Sequence, residues 1–187
     1  MKELLGLAVL TCLALAACVQ LGGGHAGEEY AVYKALIEAV YIREDTAWVV
    51  LREQATAPGN VKLVLEMASE TIPELGADTV QAFERASAEA PTLREAFDLS
   101  VTVALLSQQE EDAILRGGGG WDAFYQEYPK SRGLLAVSTV GFNLRKDQAL
   151  VYVEHTLAPL AGTGEMVVLE RKDGAWAVAH SALIWIS

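Results

Sequence analysis

Ser138, His155 and His180, all in the last third of the sequence, are side chains whose chemistry could be shared. A serine hydroxyl facing an imidazole is the beginning of an activated nucleophile, because the ring can take the proton as the oxygen attacks. A working triad also needs an acid to orient the imidazole and donors for an oxyanion. The sequence assigns neither, and it contains no Gly-x-Ser-x-Gly elbow. A metal held by the two histidines needs a carboxylate as well, and strand alternation turns Glu154 to the face opposite His155. No catalytic set, metal site or cofactor is therefore assigned. Two readings remain for Ser138, His155 and His180: a polar strip facing a ligand, or partly buried residues bonded to backbone and water.

The strip depends on strand register. Four stretches read as strands: GLLAVSTVGFNL from Gly133, ALVYVEHTL from Ala149, EMVVLERK from Glu165 and WAVAHSALIWIS from Trp176. A two-residue turn at Lys146-Asp147 sets Phe142 opposite Val151, Val140 opposite Val153 and Ser138 opposite His155. A turn at Asp173-Gly174, a strong type I′ signal, sets Leu169 opposite Val178 and Val167 opposite His180. The loop from Ala158 to Gly164, centred on Ala161, then puts His155 beside Val167. One row crosses the sheet as Ser138, His155, Val167, His180, and a slip of one residue would send these side chains to the other face.

Other polar clusters have plainer readings. Glu110-Glu111-Asp112 lies early in a helix, where the dipole favours negative charge, and is expected to be a solvated face. It lacks the alternating oxygen ligands of a calcium loop. Gly117 to Gly120 lacks the Lys-Ser/Thr of a phosphate loop and reads as a hinge. Trp48, Trp121, Trp176 and Trp185 are expected in the core or at its edges rather than as a carbohydrate platform.

At the N-terminus, Lys2 and the apolar run Leu4 to Ala14 have the form of an export signal too short to span a bilayer permanently. The run ends in Leu15-Ala16-Ala17-Cys18, which resembles the lipobox of bacterial lipoproteins; the other reading is an ordinary secretory peptide cut after Ala14-Leu15-Ala16. The lipobox resemblance implies cleavage before Cys18 and a diacylglyceryl group on its thiol, so residues 1–17 are a signal peptide. Val19 after the cysteine implies outer-membrane rather than inner-membrane retention. Cys12 falls in the excised peptide, which leaves no cysteine pair for a disulfide and no thiolate zinc site. Residues 18–27, with Gly22-Gly23-Gly24, then form the lipidated cysteine and its flexible tether. The net charge of −11, with no basic stripe, argues against nucleic acid and against binding to anionic headgroups by surface charge.

What must position these residues is a single α+β domain over residues 28–187, within the size one core can fill. Helical spacing runs from Glu28 to about Ile42, and Thr46 to Ala55 reads as a strand. Pro58-Gly59-Asn60 caps a helix over Val61 to Ser69, and Asp78-Thr79-Val80-Gln81 resembles a capping box on a helix to Glu89. Phe97 to Leu106 is a second strand, and Ser107-Gln108-Gln109-Glu110 is a second capping box. Trp121 to Tyr128 is a short aromatic helix stopped by Pro129. The expected fold is an N-terminal helical half with about two strands, packed on a C-terminal four-stranded antiparallel meander.

Trp121-x-x-Phe124-Tyr125-x-x-Tyr128-Pro129, Ser138-x-Val140-Gly141-Phe142-Asn143, Ala149 to Val153 and the run from Val168 through Asp173-Gly174 to Val178 are similar to a family of small exported bacterial proteins. Many of its members carry two cysteines where this chain has Ala158 and Ala161, so no disulfide or redox role of that loop extends here. The resemblance implies no activity. The expected function is a lipid-anchored module of the cell envelope that binds an unknown protein or small ligand without catalysis. The alternative is a hydrolase-type enzyme using Ser138 and His155.

Overall fold

The computed structural model describes residues 23–94 and 96–187, the side chains of residues 23–26 excepted. Cys18, the leader and the first part of the tether lie outside the described residues. The chain is α+β, as the sequence pattern requires. Its order is α1 (Gly23–Val40), β1 (Trp48–Arg52), α2 (Val61–Thr71), α3 (Ala77–Ala86), β2 (Thr102–Leu106), α4 (Gln108–Arg116), α5 (Gly120–Glu127), β3 (Ser131–Val137), β4 (Gly141–Phe142), β5 (Gln148–Ala158), β6 (Ala161–Lys172) and β7 (Ala175–Ile186).

The expected four-stranded meander is corrected: the sheet has seven strands and is mixed, in the order β2-β1-β3-β5-β6-β7, with β4 also on β5. β1 pairs in parallel with both β2 and β3, whereas β3 through β7 pair antiparallel. The two N-terminal strands thus extend the sheet instead of packing on it. The reason is visible in their composition. Trp48-Val49-Val50-Leu51 is apolar at consecutive positions, as suits a strand covered on both faces.

Side-chain alternation divides the core. Val49, Leu51, Leu135, Val137, Val151, Val153, Val167 and Leu169 face α1, where Val32, Tyr33, Leu36 and Ile37 are buried. The opposite face is covered twice. α2 and α3 bury Leu150, Tyr152, Met166 and Val168 with Phe83. Beside them, the α4–α5 pair buries Val50 and Leu134 with Phe124. Burial of this apolar area is the main stabilising contribution.

Several local signals act as expected. Asn60 accepts a hydrogen bond from Leu63 N at 3.2 Å and opens α2, and Ser107 with Glu110 forms a complete capping box on α4. Asp173 and Gly174 have φ of 52° and 84°, the left-handed pair a type I′ hairpin demands. Others differ. α1 begins at Gly23, so the helix takes in part of the expected tether, propagating back from a heavily buried C-terminal half. The N-cap of α3 is Gly76, which places Asp78 in the first turn instead of at the cap. The glycine run separates α4 from α5, with Gly118 at φ 100° and Gly120 at φ 57°.

Candidate functional site

Ser138 and His155 do not meet. Two local features set the true register. Asn143 N donates to Gln148 O at 3.0 Å, so four residues turn between β4 and β5 where two were expected. Phe142 therefore faces Ala149 rather than Val151. Between β3 and β4 the segment Ser138-Thr139-Val140 bulges, and beyond it Val137 faces Val153 and Leu135 faces His155. Ser138 sits against Tyr152, three residues or about 10 Å along β5 from His155.

The bulge gives Ser138 a structural role. Its N donates to Tyr152 O at 2.9 Å, and its Oγ accepts from Tyr152 N at 2.9 Å while donating to Thr139 O at 2.7 Å. Its own carbonyl accepts from the Tyr33 hydroxyl of α1 at 2.8 Å. The side chain stands in for the carbonyl that a regular ladder would use. Ser138 is fully buried, with its hydroxyl committed on both sides.

His155 faces α1, its ring set edge-on to Tyr41 with centroids 5.0 Å apart. Nε2 bonds the carbonyl of Arg132. Burial, the largest cause, pushes the imidazole below its ordinary range, which favours the neutral ring. With Nε2–H donating to Arg132, Nδ1 is left as an acceptor. His155 lines a cavity of about 190 Å³ together with Leu157, Ala161, Gly162, Thr163, Ile186 and Ser187. The row across the sheet here is Leu135, His155, Thr163, Ile186. The expected long loop is a tight turn at Pro159-Leu160, which extends β5 and β6 past their expected ends.

His180 lies elsewhere. It pairs with Val168, not Val167, because a bulge at Ala179 adds one residue to β7. Val168 belongs to the face away from α1, and the His180 Nε2 lies 3.8 Å from Glu74 Oε2. Leu169 does face Val178. The row Ser138, His155, Val167, His180 is thus replaced by three separate environments.

The densest polar constellation was not expected. Arg52, at the end of β1, donates Nε and NH2 to Glu111 at 2.9 and 3.0 Å, and NH1 to Glu154 at 3.2 Å. Tyr152 donates its hydroxyl to Glu154 at 3.1 Å and accepts from Trp185 Nε1 at 2.7 Å. The row beneath is Ala136, Glu154, Gly164, Trp185. Small residues make the arrangement possible: a Cβ on Gly164 would lie 2.0 Å from the indole nitrogen. The hydrogen bond to Glu111 is the largest cause raising the Arg52 pKa, and burial pushes the Tyr152 phenol up to about 12. Glu111 is 9% exposed, which corrects the solvated reading of Glu110-Glu111-Asp112 for its central member. A sequence signal existed: Arg52 and Glu154 each end or interrupt an apolar strand run, where a charge needs a partner.

The tryptophans pack as expected of core and edge residues. Trp48 meets Tyr128 edge-on, Trp121 meets Phe124, and Trp176 lies under Phe142 and the Arg171 guanidinium. Among the described residues, no cluster of three or more His, Cys, Asp or Glu side chains is arranged to hold a metal ion. No protein-family model matches the chain, nor does a curated protein or a solved structure.

Proposed function

We propose that this protein is an exported lipoprotein, anchored to the cell envelope through an acylated Cys18, whose folded unit binds a protein or small ligand without catalysis. The observation that carries the reading is Leu15-Ala16-Ala17-Cys18, placed five residues before α1 begins at Gly23. No described helix is long and apolar enough to cross a membrane, so attachment falls to the lipid in this reading. Outer-membrane retention follows from Val19 as part of the same proposal, as does kinship with small exported bacterial proteins.

The binding surface in this reading is the cavity beside His155. Its lining is mostly apolar, with His155, Thr163 and Ser187 as its polar residues, which suits a small apolar group or a partner's side chain. α1 spans about 27 Å from its first residue to its last. Glu28 near the start of the helix bonds Arg171 at one end of the sheet, and Tyr41 just past its end meets His155 at the other. An anchor at Cys18 therefore leaves the cavity facing away from the membrane. The commitment of the Ser138 hydroxyl to Tyr152 and Thr139 supports the non-catalytic half of the reading.

Metabolic labelling with a fatty-acid analogue tests the anchor. Wild-type protein takes up the label and fractionates with membranes, whereas Cys18→Ser does neither. Equal labelling of both chains refutes the anchor.

A further inference from the structure

A second cleft lies beside the first half of α1, away from His155. Tyr30, Ala31 and Lys34 of the helix, with Arg94, Ala96 and Asp98 of the segment before β2, line a cavity of about 350 Å³, a volume in the range of small-molecule sites. Its charges are of both signs. Lys34 Nζ donates to Asp98 Oδ2 at 2.6 Å, which leaves further N–H groups and the second carboxylate oxygen for a ligand. The Asp98 side chain keeps 93% of its surface in solvent. Arg94 is exposed, and its guanidinium has no ion-pair partner among the described residues. The Tyr30 hydroxyl accepts from Arg94 N at 2.5 Å and keeps its own proton to donate. Edge-on contacts with Tyr33 and Phe97 hold that ring in place.

We infer that this cleft holds a zwitterionic phospholipid headgroup, with its phosphodiester on Arg94, Lys34 and the Tyr30 hydroxyl and its ammonium on Asp98. The charge pattern selects the ligand class. A guanidinium presents paired donors that match phosphate oxygens, and the Lys34 ammonium adds a second positive group. A ligand of net negative charge would meet the field of a chain carrying −11, and one of net positive charge would meet Lys34 and Arg94. A ligand with one charge of each sign on a short link avoids both. Ala31 and Ala96 leave small apolar walls for the glycerol. The source of the ligand rests on the anchor proposed above. Tyr30 lies about 10 Å along α1 from Gly23. The five residues from Cys18 to Gly23 span at most about 18 Å. An acylated Cys18 therefore brings this half of the helix, not its His155 end, to the headgroups.

Phosphorus NMR titration of glycerophosphoethanolamine, the water-soluble headgroup, against the full chain in maltoside micelles tests the cleft. Glycerophosphoglycerol carries the same phosphodiester without the ammonium and is expected to bind about tenfold more weakly, for want of one charge-assisted hydrogen bond. Arg94→Gln should weaken both probes by about tenfold. Asp98→Asn should erase the preference between them. Both positions are exposed, circular dichroism checks that each variant is folded, and either one that keeps its fold carries the comparison. No binding of glycerophosphoethanolamine, equal affinities for the two diesters, an unchanged affinity in Arg94→Gln, or a preference that survives in Asp98→Asn overturns the inference. So does displacement of the probe by an equal concentration of free glycine, which would make the ligand a soluble amino acid instead of a headgroup. Binding of a soluble probe does not depend on acylation, so loss of the anchor and loss of the cleft are separate results.

Discussion

Replacing Arg52 by methionine removes one charge from a cluster that otherwise holds two carboxylates and a phenol against the sheet. The methionine keeps much of the aliphatic stem, so the substitution reports on charge and hydrogen bonding more than on packing. Two opposite charges 4 Å apart attract by about 4 kcal/mol at the effective dielectric of a partly buried site. Much of that is offset by the desolvation of all three groups. Loss of one partner from a buried pair costs about 3–5 kcal/mol, because the other charge stays behind uncompensated. Side-chain exposures of 32% for Arg52, 11% for Glu111 and 23% for Glu154 allow some rescue by water. The lower end, about 3 kcal/mol, is therefore expected. For a chain of this size that lowers Tm by about 6–12 °C. Urea denaturation gives the difference directly, and a double-mutant cycle with Glu111→Gln should show a coupling of about 2 kcal/mol between the two positions. A cost below about 0.5 kcal/mol, the range of ordinary surface changes, would mean that the cluster does not clamp α4 to the sheet.

Other perturbations probe the bulge, the tryptophan and the histidine. Ser138→Ala deprives Tyr152 N and Thr139 O of a partner and should destabilise by about 1–3 kcal/mol in urea titration; an unchanged midpoint would mean that the hydroxyl does not hold the bulge. Gly164→Ala forces Trp185 off the sheet and breaks its 2.7 Å bond to Tyr152, at a cost of about 1–3 kcal/mol. Its near-ultraviolet dichroism should weaken, and an unaltered spectrum would contradict the packing. His155 binds a proton less readily when folded than at its ordinary 6.5, because burial disfavours the imidazolium. Its contribution to stability is full above the unfolded pKa and declines as pH falls from about 6.5 toward the lower folded value, since the unfolded chain then holds more protons. Denaturation midpoints from about pH 7.5 to about pH 5 should therefore flatten in His155→Gln; parallel curves would show the ring to be solvated.

Elements with local causes were legible in the sequence. Asp173-Gly174 specifies its hairpin because a tight turn of that hand needs two left-handed residues, and both are suited to it. Ser107 with Glu110, and Asn60, start their helices through bonds made within a few residues. The α1 face was legible from Val32, Leu36 and Ile37 at helical spacing. The turn at Pro159-Leu160 was not, because leucine at φ 58° is a conformation its side chain does not announce.

The candidate site turned on more distant causes. The bulge at Ser138 is closed by Tyr33, 105 residues away in sequence, and the bulge at Ala179 exists only in the pairing of β7 with β6. Each inserts one residue into a pattern of period two, and each therefore reverses the face of everything beyond it. Arg52, Glu111 and Glu154 likewise come from three separate elements, and only their convergence turns an acidic run into a buried clamp. The sequence by itself determined the approximate places of most helices and strands and the hairpin at Asp173-Gly174. Tertiary structure decided which side chains meet, because register is fixed by bonds between distant strands and by the bulges those bonds sustain.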